Sequence, residues 1–221
     1  MPRPFFLFLL LLTASLRAQA QSPLFSFGSD MGLYRNFADG QHFNSIQHTL
    51  HLDFHLVQRD GIRVSFSHGS AGKFSNAVTA LAKTGSTQPQ QINYTNKASL
   101  KMRRLSVAWK RYLLGRPDRE EGGNLYSTAG FGLLLGRITN SHDRLTDSSL
   151  YQLPVLAGEG KFKRLSFDLS LGGEIPAGPD FYIFTEARVF IPSSDYPSPY
   201  LYKNKNAPFG GLLCFGLRIL F

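Results

Sequence analysis

Phe209-Gly-Gly-Leu-Leu-Cys-Phe-Gly-Leu-Arg-Ile-Leu-Phe221 closes the chain and decides how the rest is read. Phe209, Leu213, Phe215, Leu217, Ile219 and Phe221 fall on one face, and Gly210, Leu212, Cys214, Gly216, Arg218 and Leu220 on the other. A period of two is the signature of a strand, not of a helix. One face is uniformly apolar, while the other carries glycine and a charge. That division suits lipid outside and a crowded polar lumen inside. A chain that ends on such a strand predicts a closed barrel.

The same alternation recurs through the chain. Phe25, Phe27, Met31 and Leu33 oppose Ser26, Gly28, Asp30 and Gly32; Ile46 to Leu56 oppose Gln47, Thr49, His51, Asp53 and His55; Ile62, Val64 and Phe66 oppose Arg63, Ser65 and Ser67. Further on, Leu105, Val107 and Trp109 oppose Arg104, Ser106 and Lys110, and Leu125 to Leu135 oppose Tyr126, Thr128, Gly130 and Gly132. Leu165 to Ile175 oppose Arg164, Ser166, Asp168 and Glu174, and Phe181 to Ile191 oppose Tyr182, Phe184, Glu186 and Arg188. With the closing stretch the expectation is an all-β, eight-stranded antiparallel up-and-down transmembrane barrel. Leu150 to Ala157 contains Pro154 and lacks clean alternation, so it is assigned to a loop.

Connection lengths support this count. Residues 58–61, 114–123 and 176–180 are short turns, whereas 36–45, 70–97, 140–161 and 192–207 are longer polar loops. Outer-membrane barrels show that asymmetry, with tight periplasmic turns and longer external loops. Phe25, Trp109, Phe181 and Phe221 then all fall on the lipid face at the turn end, where an interfacial aromatic girdle belongs.

The N-terminus points to export. Arg3 precedes an unbroken apolar run from Phe5 to Leu12, and Ala18-Gln19-Ala20 is a small-x-small cleavage site. Residues 1–20 therefore read as a Sec-type signal peptide and 21–221 as the barrel. No segment has the roughly 20 apolar residues of a membrane-spanning helix. Removing Arg3 and Arg17 takes the formal charge from +9 to +7 (22 Lys and Arg against 15 Asp and Glu). In an exported chain that basic balance fits anionic lipid phosphates rather than nucleic acid, or simply soluble loops. A single cysteine, Cys214, excludes an internal disulfide.

The chain resembles the small bacterial outer-membrane barrels of the OmpA transmembrane-domain and OmpX type, and 167–176 through 181–188 to Phe221 is similar to the outer membrane protein beta-barrel domain group. The resemblance implies residence in the cell outer membrane, contact with outer-membrane lipids including lipopolysaccharide, and recognition of the strand ending in Phe221 by the barrel-assembly machinery. The chain is expected to act as a monomer.

An eight-stranded barrel is only wide enough for its own side chains. The inward residues Arg63, Arg104, Lys110, Arg164, Arg188 and Arg218 are expected to pair with Asp30, Asp53, Asp168, Glu174 and Glu186, because unpaired buried charge is costly. A side-chain-plugged lumen follows, with a structural or surface-interaction role left to the external loops. The alternative use of the same charges is a narrow ion channel through Arg188 and Glu186.

Two constellations carry possible chemistry. His51, Asp53 and His55 share a strand face, but i to i+4 in a strand spans roughly 13 Å, too far for one ion, and His48 points the other way. His68-Gly69-Ser70 resembles the lipid A deacylases of the PagL type, in which histidine activates serine at the membrane surface. That motif continues with Asn where Ala71 stands here, and the neighbouring strands offer Ile46, His48, Lys101 and Arg103 in place of an orienting acid. No cofactor, metal or catalytic residue is assigned. Tyr196, Tyr200 and Tyr202 with Lys203 and Lys205 in the last loop, and Lys73, Lys83 and Lys97 in the second, are candidate contacts for sugars or phosphates.

Overall fold

Alternation that leaves one face apolar can be buried only by closing the sheet on itself or by covering it, and here the sheet closes. The computed structural model describes residues 24–37, 41–144, 146–194, 199–201 and 209–221; the signal-peptide reading and most of the last loop lie outside them. The strands are β1 (Phe25–Asn36), β2 (Asn44–His55), β3 (Asp60–Gly69), β4 (Gly72–Ala82), β5 (Gln91–Leu114), β6 (Asn124–His142), β7 (Tyr151–Gln152), β8 (Gly158–Pro176), β9 (Phe181–Pro192) and β10 (Gly210–Leu220). Their order is β3-β2-β1-β10-β9-β8-β6-β5, and β3 pairs again with β5, so eight antiparallel strands form a closed ring. β10 meets β1 in register from Ser26 opposite Leu220 to Asn36 opposite Gly210.

The faces fall where the alternation put them. Phe131 and Leu213 on the outside are 69% and 67% exposed, whereas Arg218 and Tyr126 inside are 0% exposed. An apolar belt of this extent around a folded chain is a lipid-facing surface. Phe25 stacks on Phe221 with ring centroids 5.1 Å apart, and the Trp109 indole N–H donates to Asp60 Oδ1 at 2.9 Å. Both lie at the end of the short turns, so the expected girdle is present there.

The structure changes the reading of the second loop. Residues 70–97 are not an irregular loop: β4 pairs with Gln91–Leu100 of β5 as a hairpin rising above the ring, and β7 adds two residues to its edge. β5, β6 and β8 also run further toward the loop end than the alternation indicated. The period of two persists there, but its phase is reversed. Below Arg103 the apolar residues of β5 face outward (Leu105, Val107), and above it they face inward (Tyr94, Ala98, Leu100, Met102). Strands in water need the opposite facing from strands in lipid, so the reversal is what a barrel wall does on leaving a membrane. Leu150–Ala157 contributes no barrel strand, as expected; only Tyr151 and Gln152 pair, with β4.

Candidate functional site: a sealed lumen and a basic outer rim

The lumen is built from inward positions on all eight barrel strands. Its middle is a continuous ionic network. Arg63 on β3 donates to both oxygens of Asp53 on β2 at 2.6 and 2.9 Å and to Glu186 on β9 at 2.7 Å. Lys110 on β5 reaches Asp53 at 2.7 Å, and Tyr126 on β6 donates to Glu186 at 2.7 Å. Arg188 binds Glu186 at 2.8 Å and also Asp30 on β1 and Thr49 on β2. Toward the turn end Arg218 grips Glu174 at 2.8 and 3.0 Å and donates to the carbonyl of Pro117 at 2.8 Å. The connection 115–123 is thereby drawn against the turn-end mouth.

Charge within the barrel balances. Among the described residues the buried cations are Arg63, Arg104, Lys110, Arg188 and Arg218, and the buried anions are Asp30, Asp53, Asp168, Glu174 and Glu186: five against five. Arg164, expected inside with them, is only half-buried at the loop-end rim. A selective ion path is lined by groups of one sign; here the lumen has zero net charge and eight of the ten charged groups are joined in ion pairs. Above the network the interior turns apolar, with Tyr34, Phe43, Leu100, Met102, Leu134 and Phe162 in one buried cluster that seals the loop end. Phe184, Leu212 and Cys214 of this cap were read as inward, but its members Tyr34, Phe43, Leu100, Met102, Leu134 and Phe162 were not singled out.

The histidines do not converge. His51 lies 3.8 Å from Asp30 and stands edge-on to Phe184, His55 bonds Ser26 at 2.6 Å, and His48 faces outward to Ser29 at 2.9 Å. Among the described residues no group of three or more His, Cys, Asp or Glu is placed to hold a metal ion. His68 sits across from His48 on one side and Arg103 on the other, so its neighbours are basic. Ser70 is tied to the backbone of Ile46, its hydroxyl accepting from Ile46 N at 3.0 Å and its own N–H donating to Ile46 O at 2.8 Å. The structure thus places the candidate nucleophile and base at the loop end of β3, beside Ile46, His48 and Arg103.

What the sequence did not single out is the outer wall at the height of the phase reversal. There Lys101, Arg137 and Lys161 are directly opposite one another across β5, β6 and β8, and the adjacent row toward the apolar belt holds His68, Arg103, Leu135 and Lys163. Together with Gly136 and Phe162 these residues line a groove of about 420 Å³. Glu159 accepts from Arg137, which holds the glutamate carboxyl below its usual range.

No protein-family model and no curated protein matches this chain. Solved structures do. Neisserial surface protein A superposes with a TM-score of 0.56 at 10% identity, covering 89% of this chain and 97% of the other. This is a small outer-membrane barrel fold. The attachment invasion locus protein of Yersinia pestis covers 90% and 99% at 11% identity with a TM-score of 0.49, and the outer membrane protein OprG of Pseudomonas aeruginosa 89% and 96% at 12% with 0.44. The fold expected from the strands, that of the small OmpA and OmpX type barrels, is matched by the Neisserial structure.

Proposed function

We propose that the chain is an exported, monomeric protein of the outer membrane whose lumen is filled by its own side chains and whose work is structural or surface-interacting, carried by the part of the wall that rises above the lipid. In this reading residues 1–20 are removed on export, the turn end faces the periplasm and the loop end faces outward, and Phe221 marks the closing strand for barrel assembly. Lipopolysaccharide is the lipid that the outer half of the belt meets. The observation that carries the reading is the five-against-five lumen network lying beneath an apolar cap. Transport needs a continuous polar path, and catalysis needs an oriented nucleophile. The network and the Ser70–Ile46 pairing supply neither.

Planar-bilayer recording of the purified barrel tests this directly. The expected trace is flat; discrete steps that change when Arg188 or Glu186 is neutralised would instead establish a channel. Mass spectrometry of lipid A from expressing and non-expressing cells is expected to show no loss of acyl chains. A deacylated species abolished by Ser70→Ala would establish the enzyme.

A further inference from the structure

The protein's positive charge is not spread evenly. The lumen balances at five against five. The turn end offers Arg59, Arg111, Arg116 and Arg119 beside Asp60, Asp118, Glu120, Glu121 and Asp180, with Arg116 paired to Asp118 at 3.0 Å and Arg111 near Asp60 at 3.7 Å. The densest excess lies on the outer wall of β3, β5, β6 and β8. Five cations, Lys101, Arg103, Arg137, Lys161 and Lys163, share that face with one carboxylate, Glu159.

Their register makes the arrangement costly when empty. Lys101, Arg137 and Lys161 stand side by side in one cross-strand row, and like charges directly opposite on a sheet repel. The row lies at the edge of hydrocarbon, where water screens poorly and isolated charge is expensive. Immediately toward the belt, Arg103 and Lys163 flank Leu135, and the next row is wholly apolar: Phe66, Leu105, Leu133 and Leu165. Over four residues along each strand, about 13 Å, the wall passes from the Lys101 row through Arg103 and Lys163 to a surface for acyl chains. A ligand matched to this surface is an amphiphile with its anionic groups held next to its chains. Two strand spacings, about 10 Å, separate Lys101 from Lys161 at the backbone, so a head bearing more than one anionic group fits better than one bearing a single phosphate.

We propose that Lys101, Arg103, Arg137, Lys161 and Lys163 form a site for the head of a multiply phosphorylated glycolipid, with His68 at its margin and the acyl chains against Leu105, Leu133 and Leu165. The assignment rests on the outer-membrane reading above. It adds a defined face, a defined stoichiometry of about one lipid and a preference for two phosphates.

The test uses the full barrel in mild detergent micelles with diphosphorylated lipid A as probe, read by native mass spectrometry and titration. Lys101→Gln, Arg137→Gln and Lys161→Gln combined should weaken binding roughly ten-fold or more, while the charge-matched set Arg35→Gln, Lys73→Gln and Lys83→Gln elsewhere on the wall and hairpin should not. Monophosphorylated lipid A and phosphatidylglycerol should bind more weakly than the diphosphorylated form. Without lipid the first variant should unfold close to the wild-type temperature, since the repulsion removed and the Arg137–Glu159 pair lost are both exposed and offset each other; with lipid A the wild type should be the more stable. Equal binding by the two triple variants would overturn the proposal. So would sucrose octasulfate displacing lipid A completely at equal concentration, since the site would then belong to a soluble polyanion. A failure of the outer-membrane reading would look different: the wild-type barrel would not partition into micelles or lipid at all.

Discussion

Arg63→Met separates a plugged lumen from a water-filled one by the size of its effect. Arg63 makes three hydrogen bonds to two carboxylates and its guanidinium lies 5.3 Å from the centre of the Tyr126 ring. Removing one partner of a buried ionic cluster costs about 3–5 kcal/mol, because the charge left behind stays desolvated. Here Asp53 keeps Lys110 and Glu186 keeps Arg188 and Tyr126, which puts the expected loss at the low end, about 3 kcal/mol. With a urea slope of about 2 kcal/mol/M the unfolding midpoint in micelles should fall by roughly 1.5 M. Were the lumen an aqueous channel, the same pairs would be solvated and worth no more than about 1 kcal/mol, a shift of roughly 0.5 M or less. Glu186→Gln alone should also destabilise. Combined with Arg63→Met it should cost less than the two losses added, since they share one contact. A midpoint shift for Arg63→Met below about 0.5 M would refute the sealed-network account.

The remaining predictions use groups already in place. Cys214 is buried in the lumen with its thiol donating to the Glu186 carbonyl at 3.3 Å, so charged thiol reagents should leave it unmodified in the folded barrel and label it only in denaturant; rapid labelling of the native protein would mean an open lumen. Trp109, the single tryptophan, should be quenched by brominated lipid chains placed near the headgroups more strongly than by bromines at the bilayer centre, and the opposite ranking would misplace the girdle. Gly28 faces the His51 imidazole, and an added Cβ would fall 2.5 Å from its Cε1 and 2.8 Å from its Cδ2. Because His51 is itself packed on Phe184, Gly28→Ala should cost about 1–3 kcal/mol by overpacking, measured by the same urea titration, and a neutral result would show the lumen looser than described.

The ring was legible because lipid enforces a simple rule: within the bilayer every strand must present apolar side chains at one parity and satisfy its backbone against a neighbour. That rule is strict enough that the outward and inward sets of all eight barrel strands, from Phe25 to Phe221, follow the exposed and buried faces, with Arg164 at the rim only half-buried. The charged lumen pairs were legible as a set, since mixed signs at inward positions must meet. The partners were not, because Arg63 joining Glu186, 123 residues away, depends on how the ring closes and not on spacing along the chain.

Beyond the bilayer the rule changes sign, and that is why the upper wall was missed. Gln91 to Met102 kept the period of two, but with apolar residues facing in, so an outward-apolar template read the segment as loop. The inversion is informative in its own right. On β5 it falls between Met102 and Leu105, on β6 at Leu135 and Arg137, and on β8 between Lys163 and Leu165, positions that the register places side by side around the wall. Three strands reversing phase at one height mark a physical boundary rather than three local accidents, since each would be free to reverse elsewhere if no common surface constrained it. The cations sit on that boundary. Glu159 offsets Arg137 alone, and the repulsion left among the other cations is what the proposed anionic head would relieve.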